Sequence, residues 1–522
     1  MSTPVYLCAL ALAALASSAV ARAPADDPYA FDPGFRNGVA AVDRFGGNNA
    51  DNRDNHGSKV ATLADGSVVV ASLVQKIGAS ANQANGFYNL GLVRYTTSGQ
   101  KIAWTNVDPA YTDSSKNYIV YPNTDTTARE VAVVDIREYQ NQIYVLTERS
   151  IAGTDTDVQI RRFGLDGAFL GNTWVFNATN PETGAGMVFW RDGESGPYKL
   201  IVAGTRSTSA GDTVYLARFT LDQAGAPQLD SGTFGIGGYL DRKVVRCEDD
   251  AHGPMTCPTT AKAVTASYGV LAHAFGDATN GARPNVYVLG DFPRKLAGQP
   301  ANRDLMVMKL DADGVRQGGF GNEATDGVIT LGFDAVGSNL SDVARAITAK
   351  TYTTNQGALV FDHINVVAAV SQHCGTGVGF ASMDERNHQF AKKVFGGSSM
   401  LSGVCMQDLH DDPAGMAWIN ASRVAVVGRS WMSGGTTEVV ASPFMALLDE
   451  RPNPPTLTEY RKHPILNAGG VRVGNAAFNG VSVSSNSTLT AVGDVQDSGN
   501  NQKYMVVTAR LASDRIFGDD MD

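Results

Sequence analysis

Short runs of apolar and β-branched residues, each bounded by Gly, Asp or Asn, recur along the whole chain. Runs of this length and composition are typical of β-strands. Seven strong runs correspond to one another, at residues 66–72, 142–147, 199–204, 285–290, 363–368, 423–428 and 489–493. The pattern therefore predicts an all-β fold built from seven repeats.

Each strong run has strand-like neighbours on both sides. The run at 59–63 precedes the first strong strand through an Asp65-Gly66 hairpin turn, and a further apolar run follows at 90–95. Weaker outer strands follow elsewhere, for example at 327–331. Four antiparallel strands per repeat predict a seven-bladed β-propeller, an architecture in which repetition keeps a long chain in one domain. The repeats are longer than the ~40–50 residues of compact propeller repeats, so the surplus lies in loops.

The two ends of the propeller are complementary. The last repeat ends after its third strand near residue 511, while residues 38–45 form an outer-strand pattern with no repeat before them. The N-terminal strand is therefore predicted to complete the last blade, which would leave no unpaired edge there.

The first residues resemble an export signal. Residues 1–16 are apolar but too few to cross a bilayer comfortably, and the small residues Ala19-Val20-Ala21 suit cleavage. Cleavage after Ala23 and a first helix of the fold are the alternatives. We expect a signal peptide at 1–21, one propeller domain at 22–515 and a short acidic tail at 516–522. The mature protein would be secreted, periplasmic or displayed on the cell surface.

Composition limits the partners. The chain of 522 residues has a formal net charge of −10, 43% hydrophobic residues and 56 glycines. Excess negative charge argues against partners bound through a phosphate backbone or an anionic membrane surface. No nucleic acid and no transmembrane segment is therefore expected. The glycines suit a turn-rich β protein.

Four cysteines follow the predicted signal peptide, and an even number in an exported protein suggests two disulfides. Proximity favours Cys247 with Cys257 and Cys374 with Cys405, although three connectivities are open. A zinc site is the alternative, but neither CxxC nor HxxxH spacing accompanies these residues.

Several segments resemble the delta-60 repeat, a repeat of exported bacterial β-propellers. The residues that carry the resemblance are 31–39, 231–238 and 318–328, together with Leu310-Asp-Ala-Asp-Gly314. The resemblance covers most of the chain and is clear in repeats 1, 3 and 4. It implies an exported propeller and supplies no catalytic residues.

The sequence contains no common catalytic signature. GxSxG, SxxK and P-loop motifs are absent, and the histidines occupy different positions in different repeats. Candidates for metal ligands are His410-Asp411-Asp412 and His373 beside Cys374, and the run 48–56 offers oxygen ligands for calcium. Loop polarity explains all three more simply, so we expect no metal, no cofactor and no catalytic residue.

Long loops on one face of a propeller are the usual place for binding. The longest are predicted at 107–128, 246–262, 73–88 and 292–303. Tyr111, Tyr118 and Tyr121 in the first loop, and Trp431 on the same face, could stack on a sugar or anchor a protein. Capping of the blade rim is the alternative role for all four rings.

These features favour a binding or scaffolding module for an extracellular glycan or an envelope protein. The alternative is a propeller hydrolase or lyase that acts on polysaccharide. A third possibility is a purely structural envelope protein.

Overall fold

The computed structural model describes most of the predicted strands and their turns. The described residues are 31–32, 34–36, 39–43, 45, 54–75, 88–112, 114–121, 129–151, 155–175, 180–192, 196–209, 211–232, 234–242, 245–249, 253–257, 260–267, 283–294, 302–321, 327–333, 340–353, 360–372, 375–385, 389–396, 400–401, 404–405, 408–420, 422–433, 439–450, 454–463, 465, 474–485, 487–496 and 504–511. The predicted signal peptide and acidic tail lie outside these residues.

After the first strand, the strands of the first half form three antiparallel groups, of which groups 1 and 2 are joined by a single pair between their third and first strands, Tyr88 with Glu130. The first strand is β1 (Ala41–Asp43). Group 1 contains β2 (Asn55–Thr62), β3 (Val68–Gln75), β4 (Tyr88–Tyr95) and β5 (Tyr118–Tyr121). Group 2 contains β6 (Arg129–Tyr139), β7 (Gln142–Ile151), β8 (Asp155–Gly164) and β9 (Phe169–Trp174). Group 3 contains β10 (Glu182–Arg191), β11 (Tyr198–Thr208), β12 (Gly211–Leu221) and a divided outer strand, β13 (Pro227–Leu229) and β14 (Tyr239–Arg242).

Four further groups and two small hairpins complete the described strands. The first hairpin is β15 (Val245–Asp249) with β16 (Gly253–Cys257). Group 4 contains β17 (Thr260–Ser267), β18 (Asn285–Arg294), β19 (Asn302–Leu310) and β20 (Val328–Leu331). Group 5 contains β21 (Asp342–Thr353), β22 (Val360–Gln372), β23 (Gly375–Asp384) and β24 (Ala391–Phe395). The second hairpin is β25 (Met400–Leu401) with β26 (Val404–Cys405). Group 6 contains β27 (Asp408–Trp418), β28 (Arg423–Ser433), β29 (Val439–Asp449) and β30 (Thr456–Lys462). Group 7 contains β31 (Ala476–Val483), β32 (Leu489–Gln496) and β33 (Tyr504–Leu511).

The prediction of an all-β chain with antiparallel sheets is confirmed. The one helical element whose bounds lie within the described residues is a 3₁₀ turn, Pro109–Tyr111, which begins at the cap Asp108. No helix in the described part of the chain is long and apolar enough to span a membrane.

The second strand of each group is apolar along its length because both of its faces are buried. Successive side chains of a strand point to opposite faces. In β3, Val68 and Val70 join a core cluster shared with group 7, while Val69 and Ala71 join a cluster shared with group 2. Each of the seven core clusters of the described residues likewise lies between two groups that follow one another.

The N-terminal strand joins the C-terminal group. β1 pairs antiparallel with β33, with Ala41 opposite Thr508 and Asp43 opposite Val506. Nearby, Phe35 and Phe45 are fully buried in the cluster shared by groups 7 and 1. Backbone hydrogen bonds and aromatic burial thus tie the two ends of the described chain together.

A recurring glycine turn connects the third strand of a group to its outer strand. Gly99, Gly167, Gly225 and Gly314 all have φ between 75° and 94°, and each donates its N–H to the carbonyl three residues earlier. A residue with a Cβ is strained at such positive φ, so glycine is required at the turn. In two of the four turns an aspartate precedes the glycine, as in the segment 310–314 noted in the sequence.

Two predicted loops contain regular structure. Residues 118–121, assigned to the loop 107–128, form β5 and pair with β4, with Tyr121 opposite Leu90. The run Tyr118-Ile-Val-Tyr121 is short but rich in aromatic and β-branched residues, which favour strands. The predicted loop 246–262 contains most of the β15–β16 hairpin and the start of β17. Both loop predictions were therefore wrong in part.

Candidate functional site

A cavity of about 870 Å³ lies where the first strands of the groups approach one another. Its walls include residues from β2, β6, β10, β17, β21, β27 and β31, so every group contributes its first strand. Each of these strands contacts the next in the series, and β31 contacts β2. The cavity volume falls within the ~300–1,000 Å³ of ordinary ligand pockets. We call this space the central cavity.

Every first strand has a β-bulge at the same place. In β2 the extra residue is Ser58, which lies two positions before Val60, and Val60 pairs with Val70 near the middle of β3. The extra residue has the equivalent position in the other six first strands. The extra residues are Ser58, Val134, Ala185, Lys262, Arg345, Ala414 and Asn479. A bulge locally bends its strand and redirects side chains. All seven bulges occur in segments that line the cavity.

The residue after the bulge lies close to the neighbouring first strand, because a Cβ at Gly480 would lie 2.9 Å from the Ser58 carbonyl oxygen. Five strands carry a small residue there, namely Gly186, Ala263, Ala346, Gly415 and Gly480. The other two carry Lys59 and Asp135, on the adjacent strands β2 and β6. Small residues at this position therefore let adjacent first strands approach closely, whereas β2 and β6 carry an ionisable side chain there.

Two cavity carboxylates hold the bulge of the neighbouring group. Asp135 accepts a hydrogen bond from the Met187 N–H at 3.0 Å, and Glu148 accepts one from the Gly184 N–H at 2.9 Å. A bulge leaves backbone groups without a partner in the sheet, and such groups are costly when buried. Gly186 fits between them because a Cβ there would lie 2.9 Å from Val264 Cγ1.

Other residues in or next to the cavity walls make similar contacts between groups. The Asn479 amide donates to the Gly57 carbonyl at 2.9 Å, and the Arg345 guanidinium donates to Asp412 at 2.9 Å. Glu138 accepts from the Ala64 N–H at 2.7 Å. These polar side chains therefore have structural partners in the adjacent group.

Lys59 and Lys262 differ from this pattern. Among the described residues, neither ammonium group has a hydrogen-bond acceptor or a carboxylate within bonding distance. Asp135, the nearest acidic influence on Lys59, already accepts from Arg137 at 3.1 Å and from the Met187 N–H. The cavity walls thus contain two lysines whose ammonium groups make no hydrogen bond or ion pair with the described residues and interact with Asp135 and Glu148 only at longer range.

Burial changes the protonation of two cavity groups. Desolvation lowers the pKa of Lys59, partly opposed by the Asp135 carboxylate. Desolvation raises the pKa of Glu148 to about 7, although the Gly184 N–H and the Lys262 ammonium favour the charged form. Near neutral pH, Glu148 is therefore divided between its acid and its carboxylate, which suits a general acid.

The three predicted ligand tyrosines pack against the protein. Tyr111 and Tyr121 are half-buried against the core between groups 1 and 2, with ring centroids 5.2 Å apart. Tyr121 also lies 4.3 Å from the Phe169 ring, and Tyr118 lies 5.7 Å from the Phe45 ring. These contacts favour the capping role, and a ligand role for the three rings stays a prediction.

Trp431 has two neighbours on its ring. His410 stacks on it at 4.9 Å with an interplanar angle of 10°, and the Arg429 guanidinium lies 4.2 Å from its centroid. A sugar would need to compete with these groups for the indole face. The structure does not bring Trp431 into the central cavity walls, and its ligand role also stays a prediction.

The cysteine pairs receive little structural support. In the β15–β16 hairpin, Cys247 is opposite Met255 and Cys257 is opposite Val245, so the two cysteines are diagonal neighbours. Diagonal residues are about 7–8 Å apart, longer than the usual 4.4–6.8 Å Cα separation of a disulfide. Cys405 is in β26 and Cys374 lies outside the described residues. Both disulfides stay predictions.

Ser382, His363 and Glu450 meet away from the cavity walls but lack the geometry of a catalytic triad. Ser382 Oγ lies 2.6 Å from His363 Nε2, and Glu450 Oε2 lies 2.9 Å from the same nitrogen. A triad needs the acid on the opposite ring nitrogen. This contact therefore links groups 5 and 6 without activating the serine.

No group of three or more potential metal ligands occurs within the described segments. Of the proposed calcium run 48–56, residues 48–53 lie outside those segments. His373 is also outside, and His410 stacks on Trp431. Nothing in the described geometry supports the metal alternatives.

No protein-family model matches the chain, and no curated protein matches it. Solved structures to which it is similar include the Dos1 propeller, at 10% identity and a TM-score of 0.36, covering 87% of this chain and 92% of that one. Another is an endo-arabinase from Bacteroides thetaiotaomicron, at 13% identity and 0.29, covering 67% and 96%. A third is the fucose-specific lectin from Aleuria aurantia, at 12% and 0.29, covering 72% and 93%. At these scores the likenesses do not decide function.

Sequence reasoning missed Lys59, Asp135, Glu148 and Lys262. The available signal was an irregularity in the repeat, because Lys59 and Asp135 stand where the other first strands have Gly or Ala. Detecting it requires an alignment of the repeats that places each bulge correctly, and a bulge has no marker in a single sequence.

Proposed function

We propose that this protein is an exported seven-bladed β-propeller that binds a ligand in its central cavity. Support for seven blades comes from the seven groups, the core cluster between each pair of successive groups and the contact of β31 with β2. Support for closure by the N-terminal strand comes from the β1–β33 pairing. The delta-60 resemblance and the apolar leader support export to the periplasm, the cell surface or the medium.

The observation that carries the binding role is the central cavity itself and the ionisable side chains on its walls. Protein interiors are normally filled to crystal-like density. Here the first strands of all seven groups enclose a space of about 870 Å³, and Lys59, Asp135 and Glu148 lie on its walls. An open, partly charged cavity built by every repeat suits a ligand rather than a packed core. A glycan or an envelope protein segment is the proposed class of partner.

Filling the cavity tests this role. Ala414 lines the cavity and is half-buried, so Ala414→Leu places extra volume inside it. Ala103 is exposed and absent from the cavity walls, so Ala103→Leu is the matched control. The mature chain would first be screened on glycans and envelope proteins. We expect Ala414→Leu to weaken the binding of the selected ligand about tenfold or more. Equal affinities for the two variants and the parent would reject a ligand site in the cavity.

An enzyme that cleaves polysaccharide is the second candidate, favoured by Glu148. Glu148, with a pKa of about 7, lines the same cavity as a second carboxyl group, Asp135, and glycoside hydrolysis uses two carboxyl groups of which one has a raised pKa. Release of reducing ends from polysaccharides would show activity. Glu148→Gln should abolish it while Glu138→Gln, another cavity variant, should not. Activity that survives Glu148→Gln would exclude this assignment.

A further inference from the structure

The charged groups of the central cavity separate into those with structural partners and those without. Arg137 pairs with Asp135, and Arg345 pairs with Asp412. Glu138 accepts from the backbone of group 1. Within the described residues, the lining cations without a hydrogen bond or an ion pair are Lys59, which is half-buried, and Lys262, which is exposed, and Asp135 and Glu148 attract them only at longer range.

Neither lysine has a role in holding the groups together. Asp135, Glu148 and Asn479 each complete the hydrogen bonding of a neighbouring bulge. Lys59 and Lys262 occupy bulge positions of their own strands, but their ammonium groups contact no backbone carbonyl in the described chain. Their charges are therefore available to a molecule inside the cavity.

Lys59 is also costly for the fold. Its side chain is half-buried, and transfer of an ammonium group out of water is unfavourable when no acceptor replaces the water. The adjacent Asp135–Arg137 pair is neutral as a whole, so it gives Lys59 little compensation. Gly or Ala at this position in five other strands shows that the strand does not need a lysine there.

We propose that the central cavity binds an anionic ligand, a carboxylate- or phosphate-bearing sugar, through ion pairs with Lys59 and Lys262. This inference rests on the proposed binding function and specifies its ligand. The two lysines lie on β2 and β17, which belong to groups 1 and 4, so they approach the ligand from different parts of the cavity wall. A ligand with more than one anionic or polar group would contact both.

The test compares each anionic sugar with a neutral sugar of the same length. Titration calorimetry would pair trigalacturonate with galactotriose and galactose 6-phosphate with galactose, with inorganic phosphate to detect simple ion binding. At least one anionic sugar should bind at least about tenfold more tightly than its neutral counterpart, because charge-assisted hydrogen bonds are stronger than neutral ones. The pair with the larger difference in affinity identifies whether carboxylate or phosphate is the preferred group.

The variants Lys59→Gln and Lys262→Gln should each weaken the binding of the selected anion about 10- to 100-fold. Lys393→Gln is the matched control, because Lys393 is exposed on β24 and absent from the cavity walls. Chemical unfolding would accompany each titration, and Lys59→Gln should be at least as stable as the parent because an unpartnered ammonium group is removed. A folded Lys59→Gln variant with weak binding therefore supports the proposal.

Three results would overturn it. The first is that the neutral sugars bind with the same affinity as the anionic sugars. The second is that no anion shows saturable binding at millimolar concentration. The third is full affinity in both lysine variants while Ala414→Leu abolishes binding, which would keep the cavity as a ligand site and reject the anion. Binding that Ala414→Leu leaves intact would instead reject the proposed function itself.

Discussion

The carboxylate of Asp135 accepts a hydrogen bond from the Met187 N–H at 3.0 Å, across the boundary between groups 2 and 3. The bond links a side chain after one bulge to a backbone group after the next bulge. The same feature that opens the central cavity therefore also joins the strands around it. A bulge is an irregularity within one sheet, but here a bulge recurs at the same position in the first strand of every group.

Removing the Asp135 carboxylate should destabilise the fold. Asp135→Ala leaves the Met187 N–H and the Arg137 guanidinium without this acceptor, which should cost about 1–3 kcal/mol. Asp135→Asn retains an acceptor oxygen and should lose less. Urea unfolding of both variants measures the difference. Equal stability of the alanine and asparagine variants would show that the bond contributes nothing.

Deletion of residues 22–46 should lower the melting temperature by at least about 5 °C or cause aggregation. The deletion removes β1 from the edge of β33 and removes the buried Phe35 and Phe45 rings. An unpaired edge invites association with other chains. Deletion of residues 22–30 alone is the control, and melting curves with size-exclusion chromatography give the readout. A monomeric 22–46 deletion with an unchanged melting curve would refute closure by β1.

Much of the fold was predictable because a strand that is buried on both faces is a continuous run of apolar residues in the sequence. The runs around Val69 and Val145 are continuously apolar, and the turns at Gly66 and Gly99 have recognisable glycines. The divided outer strand of group 3 and the β15–β16 hairpin were not predicted. Short edge strands bury little and carry no strong pattern, so their boundaries depend on tertiary contacts.

The candidate site was not predictable from motifs. Lys59 and Asp135 lie inside strands, where a single sequence suggests only a polar position on one face. Their role becomes apparent only when the bulges of all the first strands are aligned, because the other strands have small residues at the same position. That alignment requires the tertiary structure. Tyr111 and Tyr121 were predicted to contact a ligand because aromatic rings in a long loop are typical of binding sites, yet both rings lie against the core.

Replacement of Tyr111, Tyr118 and Tyr121 by Ala should destabilise the protein by several kcal/mol, because each ring packs on other aromatic or apolar groups. The triple Phe variant keeps the rings and is the control. Unfolding free energies and ligand affinity would be measured on the same preparations. Lost affinity with unchanged stability would restore the predicted ligand role of these residues.

Peptide mapping without reduction tests the disulfides. We predict Cys374 bonded to Cys405, a link worth roughly 3.5–4 kcal/mol by loop entropy. The β15–β16 register places Cys247 and Cys257 diagonally, so a link between them should be strained and should be reduced by low concentrations of dithiothreitol. Alkylation before digestion shows which thiols are free. Four free thiols in protein from the periplasm or medium would contradict both pairs and weaken the export proposal.

Loss of the Glu148 proton should lower the stability of the folded protein as pH rises. Its pKa is raised to about 7 in the folded protein by desolvation, against 4.5 for an ordinary glutamate. The folded state therefore binds this proton more tightly than the unfolded state. The resulting stabilisation is fully present below about pH 4.5 and is lost as pH rises through about 7. Because Glu148 is half-buried, solvent reduces the effect to about 1–2 kcal/mol.

Glu148→Gln isolates this contribution, since glutamine keeps an acceptor for the Gly184 N–H and cannot ionise. The difference in unfolding free energy between the variant and the parent should be near zero at pH 4 and should favour the variant at pH 8. Denaturant unfolding at several pH values gives this difference directly, and other titrating groups cancel because both proteins contain them. A difference that does not change between pH 4 and pH 8 would show that Glu148 titrates normally and would also remove the argument for it as a general acid.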